Sequence, residues 1–180
     1  MARQSVLLVL SFGLAVLTGC SDKPTPAPVR TAYAADGPSR AASNSDPAED
    51  QARQQVLATY NGYLEAYIKA SAAADYRTDA LKQYVAEPLL GQLLNNLFNM
   101  SRSGVHNEGR PRWSPTVTEL RLGDDQTVIQ DCFDSSNWNA VGGKAKPTAQ
   151  AKKYPVVVKV KRIKDRWYVY ESTAQRSSTC

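Results

Sequence analysis

Close to Gly109 the spacing of apolar residues changes from helical to alternating, and this change restricts the fold more than any other feature of the chain. Before it, Val56, Leu57, Tyr60, Leu64, Tyr67 and Ile68 recur at intervals of three and four. That spacing puts one apolar stripe on a helix of about 20 residues beginning near Asp50. Asp46, Glu49 and Asp50 lie at its start, where the helix dipole favours negative charge. Ala80, Leu81, Tyr84 and Val85 predict a second, short helix. Pro88 suits the first turn of a third, whose apolar face is Leu89, Leu90, Leu93, Leu94, Leu97 and Phe98, with Gly104 past its end.

Beyond Gly109 the period is two. Residues 117–122 read as a strand, 123–125 as a turn and 127–133 as the next strand, with Val128 and Ile129 on opposite faces. Residues 135–153 read as a loop, as does the polar, Gly-bounded stretch 103–109. Tyr154, Val156, Val158 and Val160 alternate with Val157, Lys159 and Lys161, which marks a half-buried strand. Lys164, Asp165 and Arg166 make a tight turn into residues 167–173, so the final two strands form an antiparallel hairpin. Helices followed by meandering strands give an α+β domain over residues 50–180. A hydrophobic fraction of 42% and a charged fraction of 22% are those of a globular chain.

The helix pattern of residues 56–98, the strand at 128–133 and the hairpin at 156–170 together resemble the nuclear transport factor 2-like family, also called SnoaL-like or cystatin-like. Trp167-Tyr168-Val169 is like the strand ending often found there. The resemblance implies N-terminal helices packed on a strongly curved, mainly antiparallel sheet, the two forming a cone. It also implies an exported lipoprotein of actinobacterial type.

The N-terminal region carries an address. Arg3 precedes an apolar stretch over residues 5–17, followed by the small residues Thr18 and Gly19 and then Cys20. A charged start, a short apolar run and a small-residue exit describe a secretory signal. The run is too short for a comfortable membrane span of about 20 residues. Leu17-Thr18-Gly19-Cys20 resembles the lipobox of bacterial lipoproteins, which implies removal of residues 1–19 and lipid on Cys20. Residues 20–49 then read as a disordered tether. Pro24, Pro26, Pro28, Pro38 and Pro47 lie among small and polar residues, with too little apolar surface to offset ordering.

With Cys20 lipidated, Cys132 and Cys180 remain in an oxidising compartment. An intramolecular bridge between them is the leading expectation; a free Cys132 and an intermolecular link through Cys180 are the alternatives. Two thiols and a single His predict no metal site, and no cofactor motif is present. Cone-fold dehydratases and isomerases use an Asp or His aimed into the cone. The residues of that type are His106, Asp131 and Asp134, and a solvated loop and ordinary turn carboxylates account for all three. No catalytic set is assigned.

Charge supplies one surface signal. Nine basic residues fall between Lys144 and Arg166, against one acid, Asp165. Lys159, Lys161, Lys164 and Arg166 are the candidate basic patch. Such a patch attracts anionic headgroups or envelope polymers, and it also keeps a sheet soluble. The expected protein is a noncatalytic binding or assembly module at the outer face of the cell membrane. It is held there by lipid on Cys20, and its partner is an envelope protein or an anionic envelope polymer; nucleic acid is the less favoured partner. The second expectation is a small-molecule sensor or dehydratase- or isomerase-like enzyme using the cone interior. Anchoring should depend on Cys20: Cys20→Ala should abolish incorporation of labelled palmitate and leave uncleaved precursor, and normal labelling of that variant would exclude the anchor.

Overall fold

The computed structural model describes residues 46–143 and 150–180. The expected signal sequence, the expected lipid site Cys20 and the expected tether up to residue 45 lie outside the described residues, as do Lys144 and Lys146. The elements in order are α1 (Pro47–Ala72), a 3-10 turn (Ala80–Gln83), α2 (Leu89–Arg102), β1 (Val105–Gly109), β2 (Thr116–Arg121), a second 3-10 turn (Leu122–Asp124), β3 (Gln126–Asp134), β4 (Trp138–Gly142), β5 (Lys153–Ile163) and β6 (Arg166–Ala174). The architecture is α+β, with helices packed on antiparallel sheets, as the periodicity predicts.

Helix α1 is longer than its apolar stripe indicates, at 26 residues. The extension comes from its cap. The Asp46 carboxylate accepts from Ala48 N at 2.9 Å and Pro47 occupies the first turn, so an orphan N–H is satisfied before the stripe begins. Helix α2 is capped from outside, where Gly91 N donates to the Glu87 carboxylate at 3.1 Å. The segment between the helices makes only a single turn of 3-10 helix, but Leu81 within it is fully buried. The Tyr84 ring packs directly on Gly62 of α1, where a Cβ would come within 2.3 Å of it.

Strands β2, β3, β5 and β6 form one antiparallel sheet in that order. Alternation sets its faces. Thr127, Ile129, Asp131 and Phe133 of β3 are buried, opposite Val160, Val158, Val156 and Tyr154 of β5. Each fully buried Val or Ile contributes about 1.5–3 kcal/mol. Bulges at Val117/Glu119 and Lys159/Val160 shift the register, a device that bends a sheet. The turn at Lys164 and Asp165, with φ of 47° and 62°, closes the β5–β6 hairpin with the handedness that two-residue hairpins favour. The outer edge of β6 is covered at Val169, which exchanges backbone hydrogen bonds with Tyr84 and Ala86.

Two expected loops contain strands. Residues 103–109 hold β1, and residues 135–153 hold β4; the two pair antiparallel as a separate ribbon from Val105↔Gly142 to Gly109↔Trp138. Each is only five residues long and buries no side chain fully, so the alternation that signals a half-buried strand is missing; β1 is mostly polar, and β4 reads Trp-Asn-Ala-Val-Gly. The ribbon is held by its own ladder and by helix contacts rather than by a two-sided apolar face.

Asp131 is not the turn carboxylate that its sequence setting indicates. It is only 4% exposed and lies beneath α1, where Tyr60 OH donates to it at 2.8 Å and Ser114 N at 2.6 Å. Burial raises its pKa, while the Tyr60 and Ser114 bonds pull it back down. The native state therefore holds this proton more tightly than the unfolded chain, and that contribution is lost as pH rises through the folded value. Tyr60→Phe removes a donor to the ionised form and raises the pKa further. The variant should lose about 1.5–3 kcal/mol at pH 7, and its deficit should shrink at pH 3; urea unfolding at both pH values measures this.

Candidate functional site

Three aromatic side chains follow one another along α1 at helical spacing: Tyr60, Tyr63 and Tyr67, with ring centroids 6.0 and 6.4 Å apart. The series continues across the sheets. Tyr67 meets Trp138 edge-on at 6.1 Å, Trp138 meets Phe133 at 6.0 Å, and Phe133 meets Tyr154 at 5.7 Å. These rings line a small, partly open chamber of about 130 Å³ between α1 and the inner face of the main sheet. The deeper tyrosines belong to the core: Tyr60 and Tyr63 are 1% and 6% exposed. Burial pushes both phenols well above their usual pKa, so they stay neutral hydrogen-bond donors.

Tyr67 and Trp138 are half-buried and form the outer wall of that chamber. On their other side lies a cleft of about 720 Å³. The cleft is lined by Asn96 of α2, Asn107 of β1, Trp138 of β4, and Lys152 and Arg176. Asn96 donates to Tyr67 OH at 2.6 Å, fixing one wall. The Trp138 indole N–H is buried and makes no hydrogen bond among the described residues.

Arg176 is held at the mouth from three directions. Its carbonyl accepts from Ala151 N at 3.2 Å, its guanidinium lies 4.4 Å from the Tyr154 ring centroid, and the preceding Gln175 N donates to Pro155 O at 2.9 Å. Cys180, four residues further on, is bridged to Cys132 on the outward side of β3. Burial raises the Tyr154 pKa, and the Arg176 charge and its hydrogen bond oppose that. Neither Arg176 nor Lys152 is paired with a carboxylate among the described residues.

The acid–base residues singled out in the sequence lie elsewhere. His106 is in β1, not in a loop, and its Nε2 sits 3.2 Å from Glu108 Oε1 at the surface. Asp134 accepts from Ser136 N at 2.9 Å, which holds its carboxyl below the usual range. Asp131 is committed to Tyr60 and Ser114. None of the three lines the cleft.

Of the basic hairpin residues, Lys159 reaches Glu171 at 3.0 Å and Lys161 lies 5.0 Å from the Tyr170 ring centroid. Arg166 donates to Gln83 O at 3.3 Å and lies over Tyr168, and Lys164 occupies the turn. The neighbouring Arg162 is bound by Asp125 at 2.7 Å. The hairpin is less free to attract anions than its count of basic residues indicates. The residues that sequence reasoning misses are those of the cleft, Tyr67, Asn96, Trp138, Lys152 and Arg176. Tyr67 reads as core from its spacing, and Asn137-Trp138-Asn139 offers the only local signal, an aromatic set between amides in an expected loop.

No protein-family model matches the chain, and no curated protein matches it. Solved structures share its arrangement of elements at low identity. The intermembrane-space region of the chloroplast protein ARC6 has 10% identity and a TM-score of 0.49, over 68% of this chain and 95% of that one. Bd1075 of Bdellovibrio bacteriovorus has 13% identity and a TM-score of 0.45, over 74% of this chain and 44% of that one. A cystatin-like domain of unknown function from Nostoc punctiforme has 11% identity and a TM-score of 0.44, over 75% of this chain and 81% of that one. These likenesses concern the path of the chain, and no activity is taken from them.

The bridge between Cys132 and Cys180 closes a separation of 48 residues. Its loss should lower stability by about 2–4 kcal/mol. Cys132→Ser, Cys180→Ser and reduction of the unaltered protein should give the same lowered melting temperature, and the double variant should be insensitive to reductant. A melt indifferent to all three would mean that the bridge contributes nothing.

Proposed function

We propose that this protein is an exported, lipid-anchored binding module of the cell envelope that takes its ligand noncatalytically at the mouth of its cone. The observation that carries the reading is the composition of the cleft. Among the described residues it joins amides, an aromatic wall and two cations without a carboxylate partner, and it contains neither a carboxylate nor His106. General acid–base catalysis needs a proton donor or acceptor within hydrogen-bond reach of the substrate. The carboxylates and histidine of that type are engaged in other contacts away from the cleft. The site therefore supports recognition better than proton transfer, and it moves the emphasis from protein assembly toward a small ligand.

Export and anchoring rest on the N-terminal pattern that ends in Leu17-Thr18-Gly19-Cys20. The disulfide supports export, since such bridges persist in oxidising compartments. Among the described residues no helix is long and apolar enough to cross a membrane, so the attached lipid is the anchor in this reading.

The test uses full-length protein purified from membranes in mild detergent. A small-molecule extract of cell envelopes should raise its melting temperature, because a ligand at 100 times its Kd stabilises by about 2.7 kcal/mol. The rise should persist in His106→Ala and vanish in Trp138→Ala/Arg176→Ala, and the bound compound should be recovered unchanged. Turnover of the compound that is lost in His106→Ala would replace this reading with an enzymatic one.

A further inference from the structure

Resting on that reading, we infer that the cleft is built for an acidic saccharide, a pyranose bearing a carboxylate and an acylated amine. The polar wall is rich in carboxamides, with Asn96, Asn107 and Gln150 all lining it. A carboxamide both donates and accepts, as a sugar hydroxyl does, so the two pair without either being left unsatisfied. The opposite wall is aromatic. Tyr67 and Trp138 meet edge-on, an arrangement that sets an amphipathic corner against the C–H face of a pyranose ring.

The charge pattern selects an acid. Among the described residues, Lys152 and Arg176 are the charged residues lining the cleft, and both are cations. Their backbones are fixed, Lys152 by Ser135 N at 2.7 Å and Arg176 by Ala151 N at 3.2 Å, so little ordering remains when an anion binds. A guanidinium packed over Tyr154 and free of any carboxylate among the described residues is prepared for a charge-assisted bond to one. The Trp138 indole N–H is buried and makes no hydrogen bond among the described residues, so its resonance reports on the cleft wall rather than on contact with solvent.

Size gives the third element. At about 720 Å³ the cleft falls within the range of small-molecule sites, about 300–1,000 Å³. The aromatic chamber behind it, about 130 Å³, shares Tyr67, Trp138 and Arg176 with the cleft. The aromatic part of its lining suits a small acyl group, whose carbonyl can meet the polar atoms of Ser172 or Arg176 that also line it.

The experiment compares N-acetylmuramic acid with N-acetylglucosamine, which lacks the carboxylate but keeps the ring and the acyl group. An acidic dipeptide serves as the non-sugar anion. The indole N–H resonances of the three tryptophans are followed in 15N-labelled full-length protein in detergent, with Trp138 assigned through Trp138→Phe. The acidic sugar should shift the Trp138 signal and bind at least about tenfold more tightly than the neutral one. Arg176→Gln should erase that preference while leaving the remaining spectrum, and hence the fold, unchanged. Equal binding of both sugars, a preference that survives in Arg176→Gln, or binding of the dipeptide alone would overturn the assignment. If the envelope extract still stabilises the protein and no acidic sugar binds, the saccharide is wrong and the binding module stands. If neither acts, both readings fall.

Discussion

A carboxylate is an expensive group to place under a helix, and the position of α1 on the sheet is set by how this one is accommodated. Asp131 faces inward from β3 between Ile129 and Phe133, so an ionised oxygen there must be met by donors. Tyr60 of α1 and the backbone of Ser114 meet it. The Tyr60 bond fixes both where the helix lies along the strand and how it is rotated, which apolar contacts alone leave adjustable. Tyr67 then stands two turns later, about 10 Å along the axis and on nearly the same face. The buried bond at the middle of α1 thereby decides where an aromatic ring stands at the edge of the cleft.

The facing wall depends on a different constraint. Arg176 lies beyond the last strand, where a chain would ordinarily fray. The backbone bonds from Gln175 to Pro155 and from Ala151 to Arg176 hold it, and the bridge to Cys132 secures the end of the tail at Cys180. Cys132 alternates with Phe133, so the same strand anchors the tail on its outer side and lines the chamber on its inner side. A chemically separate crosslink thus supports the cation at the mouth without occupying any of the binding volume.

The legibility of each element in the sequence depends on what that element buries. Helices α1 and α2 and strands β3, β5 and β6 each bury one apolar stripe or face, and that periodicity is visible in Val56–Tyr60–Leu64 and in Val156–Val158–Val160. Strands β1 and β4 make the same backbone ladder over five residues each without fully burying a side chain, and nothing in residue spacing records a ladder. The cleft is bordered by these two strands and by Asn96 of α2, so the elements least visible in the sequence are those that build the site. Asp131 is hidden for a related reason. A polar residue in a strand is taken to face solvent unless its partner is known, and Tyr60 is 71 positions away.

The distribution of charge shows why a count of basic residues overstates the pull of the hairpin. The β5–β6 hairpin concentrates cations, but Glu171 stands opposite Lys159 in the ladder and Asp125 meets Arg162 from the neighbouring turn. Exposed pairs of this kind contribute little stability, yet they cancel much of the field that would draw an anion. Among the described residues the cleft is lined by two charged groups, Lys152 and Arg176, and by no acid. Lys152 and Arg176 are exposed and screened like the hairpin cations, but among the described residues neither has a carboxylate partner and both line the cleft. On the proposed reading the smaller pair, without carboxylate partners among the described residues, is the anion site because it lines the cleft and the hairpin cations do not.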